Sequence, residues 1–153
     1  AGATGPQGPA GGVLDFADFY ALMPDDNATP VPAGGDVDFP QDGPSSGSLG
    51  ITRIGADSFN LSAIGAYQVL FQVSVTEPGQ LILTLNGADL GYTVVGRNTG
   101  SSQIVGMAIV RTTVVDSVLT VRNPTGNTTA LTITPSAGDN RPVSAHLVIT
   151  RLQ

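Results

Sequence analysis

Residues 66–76, AYQVLFQVSVT, decide the fold class of this chain. From Tyr67 to Val75, every second residue is aromatic or valine, and the residues between them are polar except for Leu70. An alternation with a period of two is typical of a β-strand that buries one face. The segment therefore predicts a half-buried strand, and no stretch of the chain has the period of an amphipathic helix.

Similar segments lie on either side, separated by turn residues. Residues 77–80 (EPGQ) have the composition of a type II turn, and Asn86-Gly87 is a strong hairpin signal. The other predicted strands are 16–23, 36–39 at a sheet edge, 58–61, 80–85, 88–95, 103–110, 118–122, 131–134 and 143–152. Strands at a spacing of roughly ten residues, with Gly, Pro and Asn between them, predict an all-β sandwich or jelly roll.

The first twelve residues follow a different rule. Glycine recurs at every third position from Gly2 to Gly11, and proline follows it at Pro6 and Pro9. Only glycine fits at the axis of a collagen triple helix, so this period indicates a collagen-like segment. The alternative is a flexible Gly/Pro tail. We expect residues 1–12 to be the end of a longer stalk and residues 13–153 to form one globular head.

The composition argues against several classes of function. The 153 residues contain no cysteine, which excludes disulfides, thiolate chemistry and cysteine zinc sites. The net charge of −6 argues against nucleic acid or an anionic membrane surface as the partner. The sequence has no run of about 18 apolar residues and no signal peptide, so we expect no membrane insertion.

Several apolar residues exceed what one sandwich core needs. Leu70 and Ile82 interrupt the polar faces of their strands, and the segment 103–110 (QIVGMAIV) is apolar on both faces. These could be scattered surface residues of a monomer. A collagen-like stalk, however, brings three chains together, and a threefold interface would bury such residues. The predicted trimer interface consists of Leu70, Val105, Met107, Ile109, His146 and Val148.

The residues that catalysis needs are scarce. His146 is the only histidine and lies among apolar residues, which favours a core or interface position over a catalytic base. A hydrolase built on paired carboxylates remains an alternative, although Glu77 is the only glutamate. We predict no enzymatic activity and no cofactor.

A cluster of aspartates precedes the main strands. Its members are Asp25, Asp26, Asp36, Asp38 and Asp42. They lack the spacing of a calcium-binding loop, so solvated loop charge is the favoured interpretation, with a calcium site as the alternative.

The segments 59–67 (FNLSAIGAY) and 144–149 (SAHLVI) resemble the globular head shared by tumour necrosis factor ligands and complement globular-head proteins. The placement of a Gly-X-Y tail directly before such a head is similar to that in bacterial collagen-like surface proteins. The segments 19–24 (FYALMP) and 73–79 (VSVTEPG) resemble those of spore-surface collagen-like glycoproteins.

This resemblance implies a ten-stranded jelly roll that forms a homotrimer. It further implies a non-catalytic, extracellular head that caps a collagen-like stalk on the exosporium of a bacterial spore or on a cell surface and presents an adhesive tip. The alternative function is the receptor- or glycan-binding tip of a phage tail fibre or adhesin. Its host-surface or glycan ligand would then contact the loops 97–101 and 138–141.

Overall fold

The strand predicted at the centre of the chain forms as a ten-residue strand in the computed structural model, which describes residues 2–6, 12–134 and 138–153. The described residues contain eleven strands: β1 (Asp15–Leu22), β2 (Gln41–Ser45), β3 (Ile51–Arg53), β4 (Phe59–Leu61), β5 (Ala66–Val75), β6 (Gly79–Leu85), β7 (Ala88–Asp89), β8 (Val95–Arg97), β9 (Ser102–Arg111), β10 (Ser117–Arg122) and β11 (Val143–Arg151). A short 3-10 helix, Gly91–Thr93, lies between β7 and β8. No helix in these residues is long and apolar enough to cross a membrane.

The strands form two antiparallel sheets. The five-stranded sheet has the order β2-β1-β11-β5-β9. The six-stranded sheet has the order β3-β4-β10-β6-β7, and β8 pairs with β6. This arrangement confirms the prediction of an all-β sandwich.

The core fills the space between the two sheets. The alternate residues of β5 that the sequence assigns to the buried face, from Tyr67 to Val75, are all buried. Aromatic rings connect the two layers, since the Phe19 ring of β1 lies 4.7 Å from the Phe59 ring of β4, centroid to centroid. Each buried side chain of this size stabilises the fold by about 1.5–3 kcal/mol.

The prediction of an edge strand at 36–39 is wrong. Asp36 forms one isolated bridge with Arg122, and the regular strand of this region is β2 instead. The Val37 N–H donates to the Val121 carbonyl, whereas the Phe39 N–H donates to the Ala56 carbonyl. Because Val37 and Phe39 bond to different segments, no continuous ladder forms here.

The predicted strand at 88–95 is also not continuous. It is divided into β7, the 3-10 helix and β8 because the Thr93 side chain replaces part of the ladder. The Leu83 N–H donates to Thr93 Oγ1 (2.9 Å), and the Thr93 hydroxyl donates to the Leu90 carbonyl (2.7 Å). The preceding hairpin is confirmed, since Asn86 and Gly87 have φ of 52° and 82°, as a type I′ turn requires.

Two further predictions, a strand at 131–134 and a type II turn at 77–80, are wrong. Residues 131–134 make only isolated bridges, from Leu131 to Val31 and from Ile133 to Val75. The type II turn at 77–80 is absent because Gly79 already belongs to β6 and is not among the glycines with positive φ. A Cβ at Gly79 would collide with Leu131, so glycine is needed there for close packing. The described residues therefore contain eleven strands rather than ten. Two predicted strands are lost, β2 and β3 are added, and one predicted strand is divided into β7 and β8.

The two ends of the sandwich differ in their relation to the chain start. The Leu14 N–H donates to the Arg151 carbonyl (3.0 Å), so the N-terminal segment and the end of β11 lie at one end, here called the tail end. The opposite end, the distal end, carries the loops after β1, β5, β8 and β10 and the loop before β11. Residues 1 and 7–11 of the predicted collagen-like tail lie outside the described residues.

Replacement of Gly106 tests the packing of β9 on the core. Gly106 lies opposite Phe71 in the β5–β9 register, and a Cβ at this position would overlap the Phe71 ring. We expect Gly106→Ala to lower the free energy of unfolding by about 1–3 kcal/mol through overpacking. Urea denaturation at matched protein concentration measures the change. Gly91→Ala is the control, because its added Cβ meets no atom within 4 Å; equal losses in both variants would contradict the packing model.

Candidate functional site

The six residues predicted for a trimer interface lie on one face of the five-stranded sheet, the face turned away from the core. The strand register explains this placement. Leu70 lies between Val148 of β11 and Met107 of β9. Gln72 lies between His146 and Val105 in the next row. Gln68 is opposite Ile109 on the other side of the Leu70 row. We call this surface, with the outward residues of β1, the outer face.

Strand β9 supplies the most exposed part of the outer face. Val105, Met107 and Ile109 are 52%, 62% and 48% exposed, whereas the alternate residues Ile104 and Val110 are fully buried. Within one chain, β9 is therefore covered only on its inner face. The side chains of Leu70 and Val148 are half-buried by their neighbours in the sheet.

His146 makes a polar contact on the outer face. Its Nδ1 atom lies 3.3 Å from Asp18 Oδ1 of β1, and its ring centroid lies 6.0 Å from that of Tyr20. The side chain is 43% exposed. The histidine thus lies on the sheet surface as part of the same face, and not in the core.

The outer side of the six-stranded sheet has a different chemistry. The register pairs Thr84 with Thr120 and Asn60 with Thr52, so polar side chains lie on this side. Thr84 and Thr120 are buried, since their hydroxyls bond to each other and Thr120 also donates to Asp36. Ile82, which the sequence suggests as a surplus apolar residue, is 5% exposed and is buried within the chain. The prediction that Ile82 lies on an exposed face is therefore wrong. Of the two sheets, only the five-stranded sheet presents an apolar outer surface among the described residues.

No family model and no curated protein sequence matches the chain. Solved structures do match it. The globular domain of zebrafish complement 1qA is 13% identical over 89% of this chain and 94% of that one, with a TM-score of 0.56. Murine APRIL at pH 5.0 is 16% identical over 90% and 98%, with a TM-score of 0.61. Rabbit GITRL is 11% identical over 92% and 95%, with a TM-score of 0.53.

The fold is that of the tumour necrosis factor and complement globular heads. The head fold is thereby confirmed as the one that the segments 59–67 and 144–149 resemble. In this globular head, the sequence identifies the outer face on three strands and misses the fourth. Phe16 and Tyr20 of β1 also point outward, next to Thr150 and His146. Their alternation with the buried Ala17 and Phe19 is a signal that the sequence contains.

The aspartates before the main strands of the globular head do not form a metal site. Asp36 pairs with Arg122 (2.8 Å), Asp42 pairs with Arg53 (3.0 Å), and Asp26 accepts a hydrogen bond from the Leu22 N–H (2.8 Å). Among the described residues, no group of three or more His, Asp or Glu side chains is placed to hold a metal ion. The carboxylates of Asp26, Asp36 and Asp42 are thus used for structural contacts.

The carboxyl groups of this segment have different environments. The hydrogen bond from Arg53 holds the pKa of Asp42 below its ordinary value. Partial burial raises the pKa of Asp38, and the nearby charges of Asp57, Asp26 and Asp36 raise it further. A raised pKa means that the folded state binds the proton more tightly than the unfolded state does. The ionised Asp38 carboxylate therefore destabilises the fold as pH rises above the ordinary value of 3.8.

Asp38→Asn tests this repulsion. The Asn27 side chain bonds only to the backbone of Asp38, so the substitution keeps both hydrogen bonds. We expect a higher Tm than wild type at pH 7 and no difference near pH 3, where the wild-type carboxyl is protonated. Thermal unfolding at the two pH values measures it. Asp25→Asn, in the same segment but exposed, should leave the Tm unchanged; an equal gain at both pH values for Asp38→Asn would contradict the electrostatic origin.

Proposed function

We propose that this chain is a non-catalytic head that forms a homotrimer through its outer face and caps a collagen-like stalk. In this role it acts outside the cell, on a bacterial spore or cell surface, where it starts the assembly of the stalk and presents a stable adhesive tip. One observation carries the proposal: Leu70, Val148 and Met107 form a continuous apolar row on a face that no other part of the described chain covers.

The charges on this face support the proposal. The outward positions of β1, β11, β5 and β9 carry Asp, Glu, Lys or Arg only at Asp18 and Arg111. The chain as a whole has a net charge of −6. Protein interfaces are depleted of charge at their centres. A face with an exposed apolar row and few charges, on an acidic protein, is suited to contact another copy of the same face rather than water.

The position of the tail supports the same arrangement. The segment that leads into β1 leaves the five-stranded sheet at the tail end, where Leu14 bonds to Arg151. If three sheets pack around one axis, their three tails leave from the same end. A Gly-X-Y stalk needs three chains side by side, since glycine occupies the crowded axis of the triple helix. The head would hold the chains in this alignment.

The mass in dilute solution tests the proposal. We expect about 46 kDa, three times the 15.5 kDa of one chain, by light scattering on a size-exclusion column. A monomeric mass would contradict the trimer and would indicate that the outer face remains in contact with water.

Met107→Asp tests which surface forms the trimer. Met107 is 62% exposed in a single chain, so the substitution leaves the core intact but would place a charge in the interface. We expect the mass to fall to that of a monomer with an unchanged circular dichroism spectrum. Ile54→Asp is the control, since Ile54 is 58% exposed but follows β3 in the other sheet. A trimeric mass for Met107→Asp would reject the outer face as the interface.

A further inference from the structure

A polar groove of about 700 Å³ opens at the distal end of the head. Three segments that are distant in sequence form it: the start of β6, the end of β8 and the loop after β10. Its polar side chains are Gln80, Arg97, Asn98, Asn127, Thr128 and Thr129. The volume lies in the range of roughly 300–1,000 Å³ that is usual for small-molecule sites.

Glycines bring the walls of this distal groove together. Gly96 lies against Gln80, and a Cβ at Gly96 would stand 2.8 Å from Gln80 Cγ and 3.1 Å from the Gly79 carbonyl oxygen. The absence of a side chain lets β8 pair closely with β6, with Arg97 opposite Gly79. Arg97 and Gln80 both line the resulting groove.

The Arg97 side chain is held in place. Its guanidinium donates hydrogen bonds to the Ser102 hydroxyl, to the Gln103 carbonyl (3.2 Å) and to Thr99 Oγ1 (2.7 Å). No carboxylate balances it in the salt bridges of the described residues. These partners are neutral, so none of them offsets the positive charge of the guanidinium. A fixed cation loses less entropy when it binds an anion than a mobile one does.

The lining of the groove contains no acid and no aromatic residue. Glu77 is adjacent in sequence, but its carboxylate accepts hydrogen bonds from the Thr132 N–H (2.6 Å) and from the Thr76 hydroxyl (2.8 Å). The groove therefore has one positive charge in a chain of net charge −6. Amides and hydroxyls, each able to donate and accept, surround that charge.

This combination defines the chemistry of a ligand. The amides of Gln80, Asn98 and Asn127 can bond to neighbouring hydroxyl groups, and Arg97 can bond to a carboxylate through two parallel N–H groups. An aromatic ligand would find no ring to stack on. Nucleic acid is disfavoured because the rest of the acidic chain repels a long phosphate backbone.

We propose that the distal groove binds a carboxylate-bearing sugar unit of an acidic glycan, with Arg97 holding the carboxylate. The inference rests on the proposed function only in that the distal end, opposite the tail, is the outward tip. A single chain supplies every residue of the groove. Glycan binding and trimer formation can therefore be tested separately.

A glycan array that carries sialylated and uronic-acid oligosaccharides beside their neutral counterparts is the first test. We expect the wild-type head to bind the acidic members and not the neutral ones. Titration calorimetry with the best binder then gives the affinity of each variant. No binding to the array, or equal binding to acidic and neutral members, would overturn the proposal.

Three variants locate the binding. Arg97→Ala should weaken binding at least tenfold. Asn127→Asp, which keeps the size of the side chain, should do the same, because it adds a negative charge to the groove and does not disturb the loop that Arg97 holds. Arg141→Ala is the control, since Arg141 is an exposed cation in a loop of the same end but does not line the groove.

The outcomes separate this inference from the proposed function. Unchanged affinity in Arg97→Ala and Asn127→Asp, or an equal loss in Arg141→Ala, would show that the groove is not the site. Light scattering on the same samples reports the mass independently. A monomer that binds acidic glycans through Arg97 would reject the trimer and support the groove. A trimer that binds no acidic glycan would support the trimer and reject the groove.

Discussion

The pairing of β5 between β11 and β9 is the constraint on which the rest of the structure depends. Along this strand, each inward side chain enters the core and each outward side chain joins the outer face, so one register determines both surfaces. A slip by one residue would move Phe71 to the outside and Leu70 to the inside. The close contact between Phe71 and Gly106 favours the observed register, because glycine at this position leaves room for the ring. The packing of the core thereby fixes the arrangement of the exposed apolar row.

The two outer faces of the sandwich have unequal roles. One has Thr84 and Thr120 near its centre, where both are buried and bonded to each other. The other places Leu70, Met107 and Val148 side by side, with few charges around them. An isolated apolar side chain on a surface is common and has little meaning, but a continuous row across three strands has a free-energy cost in water that association removes. This asymmetry is the physical basis for the proposed assembly.

The sequence predicts the long strands well because their side chains follow a period of two and their backbones bond to one neighbour on each side. It fails where a side chain or several different segments replace the ladder. Thr93 bonds to the backbone of Leu83 and Leu90 and so interrupts a predicted strand. Val37 and Phe39 bond to two different segments, a pairing that no local pattern records.

The outer face and the distal groove also differ in how far the sequence predicts them. The outer face could be predicted from local alternation, because outward residues of paired strands share one face. The distal groove could not, since Gln80, Arg97 and Asn127 come together only when the strands β6, β8 and β10 are in place. Their residue types carry no signal of proximity in the sequence.

The attachment of the tail to β1 also has a mechanical consequence. Strand β1 lies inside its sheet, bonded to β2 on one side and to β11 on the other. Its antiparallel hydrogen bonds run perpendicular to the strand. A pull on the tail along the axis of β1 would therefore load the eight residue pairs of the β1–β11 ladder together in shear, and would not open them one after another. A load on the N-terminal segment would thus be carried by the whole β1–β11 ladder.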